Sequence, residues 1–135
     1  MEHCNFCRIV AGEADANRLY EDEGTLAFLD TDPAVRGHTL VVPRAHHESL
    51  FAAEEATTTA VFRTARTVAG AIAETLEPDG FSLFHTSAGI VGNVTHAHVH
   101  LLPRYRDDEI HVALPRAPLS EGEGAEIAAR IREGV

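Results

Sequence analysis

Hydrophobic positions fall in short bursts over the first forty residues, at helical spacing through the middle of the chain, and in strict alternation near residue 100. Arg18–Glu21 and Thr25–Leu29 read as two short strands across a turn at Asp22-Glu23-Gly24. Asp30-Thr31-Asp32-Pro33 is a turn cluster, and Thr39-Leu40-Val41-Val42 is a β-rich run stopped by Pro43. From Glu54 to Glu77 the period changes. Val61, Ala65, Val68, Ile72 and Leu76 lie three or four apart on one helical stripe, which Pro78-Asp79-Gly80 ends. The first turns carry Thr57-Thr58-Thr59, poor helix formers. Phe81–Phe84 and Thr95–Leu102 read as further strands joined by a loop at Ser87–Asn93. In the tail, Ser120 and Glu123 stand at capping-box spacing and Ile127 and Ile131 one turn apart, so a shorter C-terminal helix is expected despite Gly122 and Gly124. Five strands with short connections and one long helix predict an α+β domain on an antiparallel sheet.

The alternating run is His96-Ala97-His98-Val99-His100-Leu101-Leu102. Side chains alternate across a strand, so the three histidines share one face, about 6.6 Å between next neighbours. Ala97, Val99 and Leu101 take the other face and can enter a core. Imidazole titrates near neutrality and serves as nucleophile, proton donor or metal ligand. Such a face suits gripping a phosphate-sized group or ligating a metal. A surface strand merely rich in histidine has no reason to segregate its residues this way.

At 135 residues, 44% hydrophobic and 24% charged, the chain has the size and composition of one globular domain. No apolar run approaches a membrane span and the N-terminus lacks a signal-peptide layout, so a cytoplasmic protein without membrane partners is expected. The net charge is −10 and every basic residue is arginine. An acidic surface repels a phosphate backbone, which argues against nucleic acid as partner. Cys4-x-x-Cys7 admits three readings: a redox pair, two idle thiols, or half of a zinc site completed by histidines elsewhere. The redox reading wants a βαβ setting and a following helix, and the pattern displays neither.

The histidine run resembles the His-φ-His-φ-His-φφ motif of the HIT (histidine triad) superfamily of nucleotide hydrolases and transferases, and is most similar to its Hint-like branch. Cys4–Glu13, Leu26–Asp30, Gly37–Arg44 and Pro103-Arg104-Tyr105 resemble further segments of that family in order and spacing. A single domain over 1–135 follows, with its core at 4–106 and a tail and helix at 107–135. The resemblance implies a five-stranded antiparallel half-barrel and pairing of two units into a homodimer.

It also implies covalent catalysis at an α-phosphate, with His98 as nucleophile and His100 and His38 beside the same phosphate. Phe6, Ile9 and Phe28 correspond to the wall of the base pocket and Asp30 to the ribose carboxylate. Plain core packing is the alternative for the three apolar residues. Asn93 and Val94 correspond to phosphate donors. His85 is expected among the nucleotide- and phosphate-binding residues, although it stands where members commonly carry Asn; it and Gly92, where members carry Gln, bear on the leaving group. His46 and His96 correspond to the histidines that complete a structural zinc site with Cys4 and Cys7; no catalytic metal is implied. His3, His47 and His111 match no motif position. The implied substrates are purine nucleotides: nucleoside 5′-phosphoramidates or adenylylated small molecules, with dinucleoside polyphosphates as one alternative. A zinc-stabilised nucleotide-binding protein of little turnover is another.

Overall fold

A computed structural model describes residues 3–90 and 94–135. In chain order the elements are α1 (Asn5–Val10), β1 (Arg18–Glu21), β2 (Thr25–Leu29), β3 (Thr39–Pro43), α2 (Glu55–Leu76), β4 (Gly80–Phe84), β5 (Val99–Arg104) and α3 (Glu123–Gly134). The strands form one sheet in the order β1-β2-β3-β5-β4, every neighbouring pair antiparallel. This is the α+β architecture the pattern predicts, with three helices rather than two.

The sheet is covered on both faces, which is why β2 and β3 read as continuous apolar runs. On one face Val61, Ala65, Val68 and Ile72 of α2 pack on Ala27, Val41, Ala97, Val99 and Leu101. The predicted stripe thus faces the sheet. A buried Thr25–Thr64 hydroxyl pair at 2.6 Å ties α2 to β2. The threonine-rich first turn is helical because Thr58 spends its hydroxyl on the Leu50 carbonyl at 3.1 Å. The helix ends where Glu77 turns left-handed ahead of Pro78.

On the other face Phe6 and Ile9 of α1 pack on Leu26, Phe28, Leu40 and Val42. Helix α1 is an addition to the predicted elements. Its N-cap is Cys4, whose Sγ accepts the Cys7 amide at 3.3 Å.

The triad segment corrects one expectation. A strand over Thr95–Leu102 is predicted, whereas the ladder begins at Val99 and runs to Arg104. The His96 and His98 carbonyls accept side-chain donors instead of ladder amides, and the Ala97 amide donates to the His47 carbonyl. The alternation of faces survives: Ala97, Val99 and Leu101 are buried under α2.

Gly37 introduces His38 in a left-handed conformation, φ +92°. A Cβ there would meet Leu76 Cδ1 at 2.8 Å and Pro103 Cγ at 2.9 Å, so glycine lets the β3 entry lie against β5. At the far end of β5, Asp108 takes both Nε and Nη2 of Arg104 and the amides of Tyr105 and Ile110. Those donors hold its carboxyl well below the usual carboxylate range.

Candidate functional site

A cleft of ≈ 310 Å³ opens over the α1 face of the sheet. Phe6, Ile9, Phe28 and Leu40 line its apolar part, and Asp30, Val94, His98 and His100 its polar end. Phe6 meets Phe28 edge-on at 5.5 Å and His98 edge-on at 5.2 Å. Phe6, Ile9 and Phe28 therefore belong to the core and to the cleft wall at once. A second cleft, ≈ 500 Å³, lies on the other side of His98 between Glu48-Ser49 and Thr86–Gly89.

Fixed-role backbone groups dictate the protonation of each histidine. A carbonyl only accepts and a backbone N–H only donates. His98 lies 2.8 Å from the His96 carbonyl through Nδ1, so Nδ1 carries the proton and Nε2 is left as a bare lone pair. The Ala34 amide donates to His38 Nδ1 at 3.0 Å, which puts the proton of neutral His38 on Nε2. That proton is donated to His100 Nδ1 at 2.9 Å, leaving His100 with an Nε2–H donor. Asp30 Oδ2 sits 3.5 Å from His38 Nε2, and Asp30 Oδ1 accepts the Asp32 amide at 2.8 Å.

His100 is walled by Phe84, which stacks on it at 4.4 Å and 14°, and by His38 and His98. Burial first, then its two histidine neighbours, pushes its pKa down to about 4, against a small opposing pull from Asp30. Burial also lowers that of His38, with Asp30 again opposing. Both rings are thus neutral at physiological pH, and the chain of donors just described is the resting arrangement.

The same shift predicts how stability responds to acid. The folded pKa lies below the unfolded value of 6.5, so the unfolded chain binds the proton first. The contribution of neutral His100 is complete above pH 6.5 and is lost as pH falls towards 4. Relative to His100→Gln, wild type should lose up to about 3 kcal/mol of unfolding free energy over that window. Urea titrations of both proteins at several pH values measure it; a difference independent of pH would contradict the buried, neutral imidazole.

Behind the triad, Cys4, Cys7, His46 and His96 bring four donor atoms within 4.8 Å of one another. Sγ of Cys4 and of Cys7 lie 3.5 and 3.4 Å from His96 Nδ1, and Cys7 Sγ lies 3.3 Å from His46 Nδ1. Tetrahedral zinc with ordinary Zn–S and Zn–N lengths requires S···N edges of about 3.5 Å. His96 Nε2–H donates to the Pro43 carbonyl at 2.8 Å, which fixes the tautomer and turns the Nδ1 lone pair towards the sulfurs. Burial and the neighbouring Cys4 raise the Cys7 thiol above its usual value. The donor set fits a metal ion.

His85 stands apart from the phosphate end of the cleft. Its Nδ1–H donates to the His98 carbonyl at 3.0 Å and its Nε2 accepts the Leu50 amide at 3.3 Å, so both ring nitrogens are spent on backbone. Asn93 and Gly92 lie outside the described residues. Leu40 and Phe84 are site residues that sequence reasoning missed. Leu40 alternates with the core positions of β3, and Phe84 precedes His85, but their roles come from pairing: both lie opposite His100 in the sheet.

An antiparallel sheet presenting interlocked histidines beside an aromatic cleft and a carboxylate defines a nucleotide-binding protein of the histidine-triad class. The HIT domain family model matches residues 11–107, and the chain belongs to that family. The family is part of a superfamily of nucleotide-binding proteins and hydrolases. Protein hit of Bacillus subtilis (strain 168) is 37% identical over 105 residues, 77% of this chain and 72% of that protein. Adenylylsulfatase HINT3 of Arabidopsis thaliana is 33% identical over 106 residues, 78% of this chain and 54% of that protein. A crystal structure from Streptococcus mutans UA159 superposes with a TM-score of 0.93 at 32% identity, covering 99% of this chain and 86% of that one. A zinc-bound histidine triad family protein from Mycobacterium smegmatis gives 0.76 at 32% identity, covering 99% of each chain. Among the described residues, no helix is long and apolar enough to cross a membrane.

Proposed function

We propose that the protein is a nucleotide hydrolase acting at the α-phosphate of nucleoside 5′-phosphoramidates or adenylylated small molecules, through a nucleotidyl-histidine on His98. One observation carries this reading: His98 Nε2 is bare, its Nδ1–H is tied to the His96 carbonyl, and its ring borders the cleft that Asp30 and Phe28 share.

In the first half-reaction the His98 Nε2 lone pair forms a bond to phosphorus and the bond to the leaving group breaks. The leaving amine departs with that electron pair and takes up one proton from solvent. Meanwhile the His100 Nε2–H, held by its link to His38, donates to a non-bridging oxygen and shares the charge that builds there. Water then attacks phosphorus, the P–N bond to His98 breaks, and the nucleoside monophosphate leaves as one proton returns to solvent.

The cleft on the leaving-group side of His98 is lined by hydroxyls and by Glu48; among the described residues no arginine lines it. Among the described residues a second nucleotide's phosphates would find no counter-charge there, which favours small neutral or amine leaving groups over dinucleoside polyphosphates. The relative named an adenylylsulfatase supports hydrolysis at an adenylyl phosphate in general. Incubation with adenosine 5′-phosphoramidate and with diadenosine tetraphosphate tests the choice. AMP release at least tenfold faster from the first is expected, and the reverse order would overturn it.

Asp30 serves the ribose. Its acceptor-only carboxylate suits a cis-diol. Asp30→Ala should weaken a ribonucleoside monophosphate by roughly 1–3 kcal/mol and its 2′-deoxy analogue by much less. Calorimetric titration compares the two ligands; equal losses would assign Asp30 to its turn, where it caps the Asp32 amide.

The metal is zinc in this reading, held by Cys4, Cys7, His46 and His96. Four protein ligands leave no open position, so it supplies rigidity and no activated water. The zinc-bound Mycobacterium smegmatis relative supports the choice of ion. The chain works as a homodimer in the cytoplasm; the free edge at β4, with Phe81 and Leu83 partly open, suits sheet-to-sheet pairing.

A further inference from the structure

His98 lies just outside the sheet, since the β5 ladder starts one residue later at Val99. The segment that leads into β4's side of the site, residues 47–52, takes over part of the task of holding it. The Ala97 amide donates to the His47 carbonyl at 2.7 Å. Three residues further along that loop, the Leu50 amide donates to His85 Nε2 at 3.3 Å, and His85 Nδ1–H donates to the His98 carbonyl at 3.0 Å. One imidazole therefore spans from the loop to the backbone of the nucleophile proposed above. A backbone N–H only donates and a carbonyl only accepts, so it is the neutral ring with its proton on Nδ1 that makes both bonds.

Register puts the ring there. Phe84 faces His100 as the last pair of the β4–β5 ladder, and His85 follows it where β4 leaves the sheet. The loop end of the link is itself anchored. The Leu50 side chain is buried in the α2 core, its carbonyl takes the Thr58 hydroxyl at 3.1 Å, and the exposed Phe51 ring meets His85 edge-on at 5.5 Å. Glu48, Ser49 and Ala52 of the same loop line the ≈ 500 Å³ cleft beside His98.

We propose that His85 is a positioning residue for the leaving group: its ring ties the 48–52 wall of that cleft to the His98 backbone and so sets the wall's distance from the attacking nitrogen. The inference rests on the hydrolase reading above. Both ring nitrogens are spent on backbone, so the ring acts through what it holds. A misplacement of about 1 Å is enough to spoil a near-attack geometry. A leaving group large enough to touch the wall feels the loss of the link, and ammonia feels it far less.

Two carboxamides divide the link between them. Asparagine carries its N–H at the depth of Nδ1 and keeps the His98 bond, but its oxygen stops short of the Leu50 amide. Glutamine reaches the depth of Nε2 and keeps the Leu50 bond while giving up His98. The test compares wild type, His85→Asn, His85→Gln and His85→Ala on adenosine 5′-phosphoramidate and on its N-benzyl derivative. Each variant should cost the N-benzyl substrate at least about tenfold more in kcat/KM than the parent, because each breaks the link at one end or both. Hydrogen exchange of the Leu50 amide, followed by NMR, should quicken in His85→Asn and His85→Ala and stay slow in His85→Gln. If alanine unfolds the protein, the two carboxamides carry the comparison. Equal losses on the two substrates would reduce His85 to fold maintenance and overturn the inference, as would Leu50 exchange unchanged in His85→Asn; either result leaves the hydrolase reading standing. Wild type that releases AMP from neither substrate would overturn that reading, and the leaving-group role with it.

Discussion

Replacing His98 by alanine should lower turnover of adenosine 5′-phosphoramidate by at least about a thousandfold and leave AMP affinity within a few-fold of wild type. The separation follows from where the ring sits. The apolar wall of Phe6, Ile9, Phe28 and Leu40 and the Asp30 carboxylate remain when the imidazole goes. What disappears is the Nε2 lone pair that the hydrogen bond from Nδ1 to the His96 carbonyl leaves bare beside the cleft. Acid-quenched wild type should carry an added nucleotidyl mass on the peptide containing His98, and the variant should carry none. His98→Asn should behave like alanine, because an amide offers no comparable lone pair. Near-normal kcat in either variant would falsify the covalent route.

The second large effect concerns the metal and separates two histidines two residues apart. His96→Ala, or Cys4→Ser, should release the ion and cost at least about 3 kcal/mol, roughly 10 °C in Tm. Hydrolysis at low temperature should remain measurable. His98→Ala should do the reverse, keeping about one zinc per chain while losing turnover. Elemental analysis of protein purified without chelators, with melting in parallel, reads both. Metal-free wild type whose melting is unchanged by Cys4→Ser would return the four residues to ordinary packing. The magnitude is large because His96 is fully buried, with its Nε2–H on the Pro43 carbonyl. Removing one donor then leaves buried polar atoms without partners.

Where the sequence was readable, local periodicity made it so. The α2 stripe from Val61 to Ile72 faces the sheet as its spacing predicts, and the turns at Asp22–Gly24 and Pro78–Gly80 fall where small and rigid residues stand. Helix α1 was invisible because six residues give less than two turns of period, and because its cap is a cysteine sulfur rather than a hydroxyl or carboxylate. The late start of β5 was hidden for a related reason: side-chain donors that capture the His96 and His98 carbonyls have no pattern of their own. The triad motif brought His98 and His100 to notice. The link from His38 to His100 spans 62 positions and exists only once β3 and β5 pair. His85 stands where relatives of the family commonly carry asparagine, and its ring holds backbone on both sides. A side chain's type carries over between relatives more readily than the direction it faces.

Helix α1 carries Cys7 towards the four-donor cluster and Phe6 and Ile9 towards the cleft, within less than two helical turns. Phe6 touches both His96 and His98 edge-on, so its ring is packed between the cluster and the triad. A rigid body that serves two ligands couples them, and such coupling is reciprocal. Whatever factor the ion adds to nucleotide affinity by seating α1, the nucleotide must add to the affinity for the ion. Metal retention in dilute chelator then becomes a gauge of how full the nucleotide cleft is, with no turnover required.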